Sequence, residues 1–171
     1  MLMLLRHLVA VAALPFVMTA AIPVWLARRD HMWISPAATL PLILVQLAGL
    51  LFIALGIVLF ASTLRRFATE GKGTLAPWDP PRKLVVHGPY RYVRNPMISG
   101  VLIIILGEAL VLLSTPHFWW FLTFFAINAV YIPLLEEPML QSRFGDSYTE
   151  YRRHVPGLIP RFTPWRAETS R

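Results

Sequence analysis

The sequence predicts an all-α integral membrane protein of about four transmembrane helices with a short helical cytoplasmic C-terminal segment. Three observations carry that expectation. The mean hydropathy is +0.57. Of 171 residues, 56% are hydrophobic. Those residues gather into four long apolar runs, the first three with arginine near at least one end. A chain of this length makes one domain, 1–171. A soluble domain has too little interior to hide so much apolar surface, so the bilayer is the better solvent.

Each run meets the length of roughly 17–25 residues that a span requires. The first covers Leu8 to Ala27, between Arg6 and Arg28. A removable signal peptide is the competing reading. The run is long for its apolar region, however, and no small-residue cleavage site precedes a soluble domain. The second, 37–63, lies in a stretch without charge from Pro36 to Leu64. The third starts at Pro96 and ends near Ser114, and the fourth covers 117–135. Ser114, Thr115 and Pro116 leave room only for a tight turn, so spans three and four form an antiparallel hairpin. Gly49 and Gly56, seven residues apart on span two, suit close helix packing.

Lysine and arginine set the orientation. Fourteen flank the N-terminus, the loop between spans two and three, and the C-terminus, against two (Arg28 and Arg29) between spans one and two. Both termini and the central loop are therefore expected in the cytoplasm, with the inner or plasma membrane as the compartment. The net charge of +7 raises nucleic acid as a partner. The basic residues flank apolar runs, so they read first as topology determinants and anionic-lipid contacts. There is no cysteine, which excludes disulfides and thiolate chemistry. No His/Asp/Glu set has metal-ligand spacing, and no phosphate-binding glycine loop, nucleophile elbow or nucleic-acid motif is present. Trp33, Trp78, Trp119, Trp120 and Trp165 read as interface aromatics, and the tail beyond Pro164 as frayed.

Two segments carry chemistry. In Leu84 to Gly100 (LVVHGPYRYVRNPMISG), Gly88-Pro89 marks a turn. Asn95-Pro96 then reads as an N-cap followed by proline at the first helical position. Free N–H groups at that helix start, with Arg91 and Arg94 just upstream, attract an anion. Tyr90 and Tyr92 offer flat rings, suited either to interfacial anchoring or to stacking. In Glu136 to Pro160 (EEPMLQSRFGDSYTEYRRHVPGLIP), two adjacent carboxylates close span four and need cationic partners. Arg91 and Arg94 are the nearest candidates, and a plain Arg–Glu lock is the structural alternative. A helical stretch to Phe144 ends at Gly145. Ser147 and Glu150 have capping-box spacing for a short helix through His154, which Pro156 ends. Tyr148, Tyr151 and Arg152 share one of its sides. Glu108, midway along span three, reads as a candidate substrate residue or as a hydrogen-bond partner of Asn128.

With those residues in order, the chain resembles the isoprenylcysteine carboxyl methyltransferase family and its phospholipid methyltransferase relatives. The resemblance rests on Gly88-Pro89-Tyr90-Arg91-Tyr92-Val93-Arg94-Asn95-Pro96, Glu136-Glu137, Phe144-Gly145, Tyr148, Tyr151, Val155-Pro156 and Ile159-Pro160. It covers about the last half of the chain. It implies S-adenosyl-L-methionine (SAM) as methyl donor, bound at the cytoplasmic face and covered by segment 136–160. It implies a lipophilic small-molecule acceptor, with no metal and no nucleic acid. The implied cofactor-binding residues are His87, Gly88, Pro89, Tyr90, Arg91, Tyr92, Arg94, Asn95, Pro96, Gly100, Glu136, Glu137, Tyr148, Tyr151 and Arg152. The implied catalytic residues are Glu136, Arg94 and Asn95. The helix start and Arg91 or Arg94 would hold the SAM carboxylate. Glu136 or Glu137 would take its ammonium or ribose. One departure is Asn95, where the family carries histidine. The competing functions are an NADPH-dependent membrane reductase of the sterol-reductase type, for which this loop and tail are a small basic pocket, and a non-catalytic membrane protein on the same scaffold.

Overall fold

The computed structural model describes residues 15–31, 39–70 and 84–166. Residues 8–14 of the first expected span lie outside them. All regular structure among the described residues is helical, and the fold class is that of an all-α membrane protein. The main helices are α1 (Ile22–Arg29), α2 (Leu40–Glu70), α3 (Pro96–Val111), α4 (Thr115–Tyr131), α5 (Glu137–Phe144) and α6 (Asp146–His154). Two stretches are long and apolar enough to cross a bilayer: Leu40–Arg66 and Thr115–Phe144. Only 11% and 17% of their apolar windows are buried inside the protein. The core helix of a soluble domain would be mostly buried, so these faces suit lipid. Pro96–Val111 is apolar but shorter.

Helices α4 and α5 are continuous through a π-helical turn, Ile132–Glu136. A second π turn, Val17–Ala21, leads into α1. Each stands two residues before a proline, Pro138 and Pro23. Proline removes an N–H and pushes its ring against the carbonyl four residues back, and a local π turn relieves that conflict. At the Val17–Ala21 turn the register is i to i−5, with Ile22 N–H donating to Val17 O. Pro23 cannot donate to the next carbonyl in that register, Met18 O, which instead accepts from Trp120 Nε1–H at 3.1 Å.

The chain forms two compact units: residues 1–58 with 100–126, and 59–99 with 127–171. In the first, α2 and α3 touch backbone to backbone through small residues. A Cβ on Gly49 would lie 2.8 Å from Gly107 O, one on Gly107 2.7 Å from Gly49 O, and one on Gly56 2.8 Å from Gly100 O. The expected close packing at Gly49 and Gly56 is present, and Gly107 and Gly100 supply its other side. Gln46 Nε2 donates to Val111 O at 3.0 Å, satisfying a carbonyl at the end of α3.

The turn between α3 and α4 falls earlier than expected, at residues 112–114, because α3 ends at Val111 and Thr115 and Pro116 already belong to α4. Leu113 adopts φ +49°. Ser114 N–H reaches Ala109 O at 3.0 Å and Leu113 N–H reaches Leu110 O at 3.3 Å, a Schellman closure with leucine in the left-handed position. Ser114 then caps α4, accepting His117 N–H at 3.3 Å. The His117 ring is buried between Ser114 Oγ (2.6 Å) and Pro23 O (3.1 Å). A carbonyl only accepts, so Nε2 carries the proton and Nδ1 accepts from the serine.

A methyl group at Gly107 has nowhere to go, because it would meet the backbone atoms Gly49 O and Ile53 N at 2.7 and 2.9 Å as well as Ile53 Cγ1 at 2.7 Å. Gly107→Ala is expected to cost about 1–3 kcal/mol by overpacking. At Gly157 an added Cβ would meet only Arg94 Nη2, at 3.4 Å. Thermal unfolding in detergent should therefore show a clear drop for Gly107→Ala and little change for Gly157→Ala.

Candidate functional site

The second unit contains nearly every residue singled out above, on α5, α6, the turn before α3 and the C-terminal segment. His87 is extended (φ −109°, ψ 161°) and leads into a 3-10 turn, Gly88–Arg91. Gly88 takes φ +59°, and a Cβ there would come 3.0 Å from Arg66 Nε. Pro89 O accepts from Tyr92 N–H (3.0 Å) and Val93 N–H (3.2 Å). The chain then enters α3 through Asn95, whose carbonyl accepts the Ser99 N–H at 3.0 Å. No backbone acceptor takes the N–H of Met97 or Ile98 among the described residues. The expected N-terminal donors at the start of α3 are therefore present.

The C-terminal segment runs back along this entry as a strap. Pro156 O accepts Arg94 N–H at 2.8 Å, and Gly157 O accepts Asn95 N–H at 3.1 Å. Ser99 Oγ lies 2.6 Å from Leu158 O. Further on, Arg161 N–H donates to Tyr92 O (3.0 Å) and Trp165 N–H to Arg91 O (2.9 Å). Arg91 Nε returns a bond to Trp165 O at 2.7 Å. Trp165 is thus held at both ends, and its ring stacks on His154 at 5.7 Å. The expectation that the tail frays beyond Pro164 fails for Trp165, because backbone pairing and ring packing fix it. Residues 167–171 lie outside the described ones.

Arg94 is the centre of the charged cluster. Its guanidinium pairs with the Glu137 carboxylate. Nη1 donates to Val155 O at 2.6 Å and to Arg152 O at 3.0 Å. Those carbonyls belong to the C-terminal end of α6, where a cation is favoured. Glu137 also meets Arg152 Nε at 3.0 Å. Arg94 is 11% exposed and Glu137 3%, so both charges depend on each other. Arg94 Nε is buried with no partner among the described residues.

Glu136 is in a different position. It is half-buried, and its charged neighbours are Glu137 and Arg94. It forms no hydrogen bond or ion pair among the described residues. Of the two adjacent carboxylates, Glu137 is used by the fold and Glu136 is available.

The aromatic residues form a packed wall. Tyr148, Tyr151 and Val155 are buried together, with Leu84, Val86, Leu140, Phe144 and Trp165 against them. Tyr151 Oη donates to Tyr90 O at 2.6 Å, which ties α6 to the 3-10 turn. Burial, then the Glu137 carboxylate, push the Tyr148 hydroxyl up to about 12. Burial, with Tyr90 nearby, raises Tyr151 further. Gly145 ends α5 with φ +56°, as expected. Ser147 does not cap α6, because Asp146 is already its first residue and Gly145 occupies the cap. Gly100 lies in the first unit, with its carbonyl against Gly56. Glu108 is also in that unit, and its Oε2 is buried without a hydrogen-bond partner among the described residues. Asn128 is buried and bonded.

The family model for phospholipid methyltransferases matches residues 44–147, and the chain belongs to that family. Over 80 residues, 45% of this chain, it is 41% identical to the protein-S-isoprenylcysteine O-methyltransferase of Schizosaccharomyces pombe (strain 972 / ATCC 24843). That stretch covers 33% of the yeast protein, so the match spans about a third of the relative's length. No solved structure matches the chain.

Two outcomes follow from the cluster. Arg94→Ala would leave Glu137 buried with only the half-exposed Arg152 beside it, and should cost about 3–5 kcal/mol, read as a lower unfolding midpoint in detergent. The raised tyrosines set a pH limit. Tyrosine ionises near 10 in an unfolded chain, while Tyr148 holds its proton to about 12. The Tyr148 contribution is therefore complete below pH 10 and is lost as pH rises from 10 through 12, and that of Tyr151 is lost from 10 over a wider range. Unfolding midpoints against pH, with tyrosinate absorbance alongside, should show this loss setting in above pH 10.

Proposed function

We propose that this protein is a SAM-dependent methyltransferase acting on a lipophilic acceptor. The supporting observation, beside family membership, is the half-buried Glu136 carboxylate left without a partner next to a fully paired Glu137. SAM carries an ammonium, a carboxylate and a sulfonium. The residues present fit it: Glu136 answers the ammonium, and the Met97 and Ile98 N–H groups at the start of α3 answer the carboxylate. The turn His87–Tyr92 offers backbone groups and the Tyr90 and Tyr92 rings to the adenine.

When bound, SAM supplies an electrophilic methyl group for in-line displacement by an acceptor oxygen, nitrogen or sulfur. The chain's residues then have three tasks. Glu136 and the start of α3 orient the donor. Arg94, Glu137 and Arg152 hold α5, α6 and the strap in place as positioning residues. The packed wall of Tyr148, Tyr151 and Trp165 excludes water from that side. A carboxylate acceptor requires no base, whereas an amine must arrive unprotonated. A family named for phospholipids and a relative named for an isoprenylcysteine both support an acceptor dissolved in the bilayer. The same reading makes the protein multi-pass, with four spans and a cytoplasmic site in the inner or plasma membrane. Glu108 is the membrane-depth residue available to such an acceptor.

Purified protein should bind SAM by calorimetry. Glu136→Gln should weaken that binding ten- to a hundredfold, or about 1.4–2.8 kcal/mol, with the unfolding midpoint unchanged. Incubation with methyl-labelled SAM and a membrane lipid extract should label a lipid. No heat of binding and no labelled lipid would overturn the reading.

A further inference from the structure

The strap has a second face. It turns through Leu158–Phe162, where Leu158 O accepts from Ser99 Oγ and Arg161 N–H donates to Tyr92 O, and that turn carries apolar side chains outward. Phe162 is fully exposed and Ile159 is 71% exposed. A chain that buries Val155 and the Tyr151 ring a few residues away has no local reason to place a phenylalanine and an isoleucine on an irregular turn in water. The charge around them is of one sign. From Tyr151 to Arg166 there are four arginines and no acidic residue. Arg153 and Arg166 are exposed. Arg161 spends its donors on His154 O (2.6 Å) and Thr163 Oγ1 (3.2 Å) and keeps its full charge.

We propose that the Leu158–Phe162 turn inserts into the headgroup region of an anionic bilayer, with Ile159 and Phe162 as the apolar wedge and Arg153, Arg161 and Arg166 on lipid phosphates. Two features favour a membrane over a protein partner. The wedge is two side chains wide, too small for a stable protein interface and sufficient for an interfacial anchor supported by cations. The bilayer is also within reach of the same compact unit, which contains the Leu59–Arg66 end of one membrane-length helix and the 127–136 part of the other. In that unit Ile127, Val130, Leu134 and Leu135 are exposed, as lipid-facing residues would be. The strap holds Arg94 and Asn95 by backbone bonds and Ser99 through its hydroxyl, so the insertion would seat the entry to α3 at headgroup level. The inference rests on the chain lying in a membrane and not on SAM or methyl transfer.

The absence of cysteine allows a direct test. Phe162→Cys, at a position that packs on nothing, is labelled with an environment-sensitive fluorophore. Ser147→Cys on exposed α6 serves as reference. Both are reconstituted in nanodiscs of phosphatidylcholine alone, or of phosphatidylcholine with phosphatidylglycerol, each containing lipid spin-labelled near the carbonyl. The expected result is a blue-shifted emission at position 162, quenched more strongly than at 147 and more strongly still with phosphatidylglycerol. Equal quenching at the two positions overturns the insertion. Equal quenching in the two lipid mixtures overturns the role of the arginines. A blue shift in detergent that grows with protein concentration assigns the turn to a second copy of the chain and overturns the membrane reading. None of these outcomes depends on SAM binding, so they are separable from those of the calorimetry.

Discussion

A guanidinium and a carboxylate that share a nearly closed environment are stable only together. The attraction between them roughly offsets the cost of taking each from water, and removing one leaves the other stranded. Arg94 and Glu137 impose that condition on the C-terminal half of the chain. Arg94 lies two residues before the start of α3, and Glu137 opens α5. The guanidinium has donors to spare and uses them on Arg152 O and Val155 O, carbonyls that the end of α6 cannot satisfy internally. One side chain thus ties α5, α6 and the entry to α3 together, and its own N–H holds Pro156 O and begins the strap.

The prolines decide which carboxylate is used. Adjacent residues on a helix point about 100° apart, so Glu136 and Glu137 cannot both face Arg94. The π turn Ile132–Glu136, placed just ahead of Pro138, sets the rotation of α5 against α4. In the observed setting Glu137 meets both Arg94 and Arg152, and Glu136 is left beside the pair without a partner. Repulsion between two carboxylates is tolerated because one is neutralised by two arginines. Under the proposed function, that unpaired carboxylate is what the cluster would offer to an ammonium.

Much of this is legible in the sequence, and what is not has physical causes. Apolar runs and their lengths locate α2, α3 and α4, since lipid demands contiguous apolar surface. Gly49 and Gly56 signal close packing because only glycine admits a backbone at that distance. Asn95-Pro96 and Gly145 mark helix ends by backbone chemistry that is local in sequence. An Arg–Glu lock is also foreseeable. That Arg94 rather than Arg91 takes Glu137 is not, because the choice depends on rotation about helix axes and on a strap that occupies Arg91 through Trp165. The strap itself carries no periodicity. Its order comes from single backbone bonds to residues about 60–70 positions earlier, and no window of sequence contains that information. The Ser147–Glu150 spacing suggests a capping box, but helix α6 starts one residue before Ser147, since Gly145 with positive φ already ends one helix and opens the next. Trp165 packs on His154 and Tyr151, contacts that no local spacing signals.

The asparagine at position 95 can be weighed in the same terms. In this structure the residue donates its N–H to Gly157 O and accepts the Ser99 N–H on its carbonyl, with Ser99 Oγ 3.0 Å from the same oxygen. All three are main-chain roles, open to any residue but proline, and a histidine would fill them equally. A histidine exchanged for asparagine therefore leaves these backbone bonds in place, and what an amide side chain cannot replace is the capacity to carry a proton. Under the proposed function, methyl transfer to an acceptor already in its nucleophilic form moves no proton to the protein. On that proposal residue 95 would bear on which acceptors are used rather than on whether the helix start and the strap form.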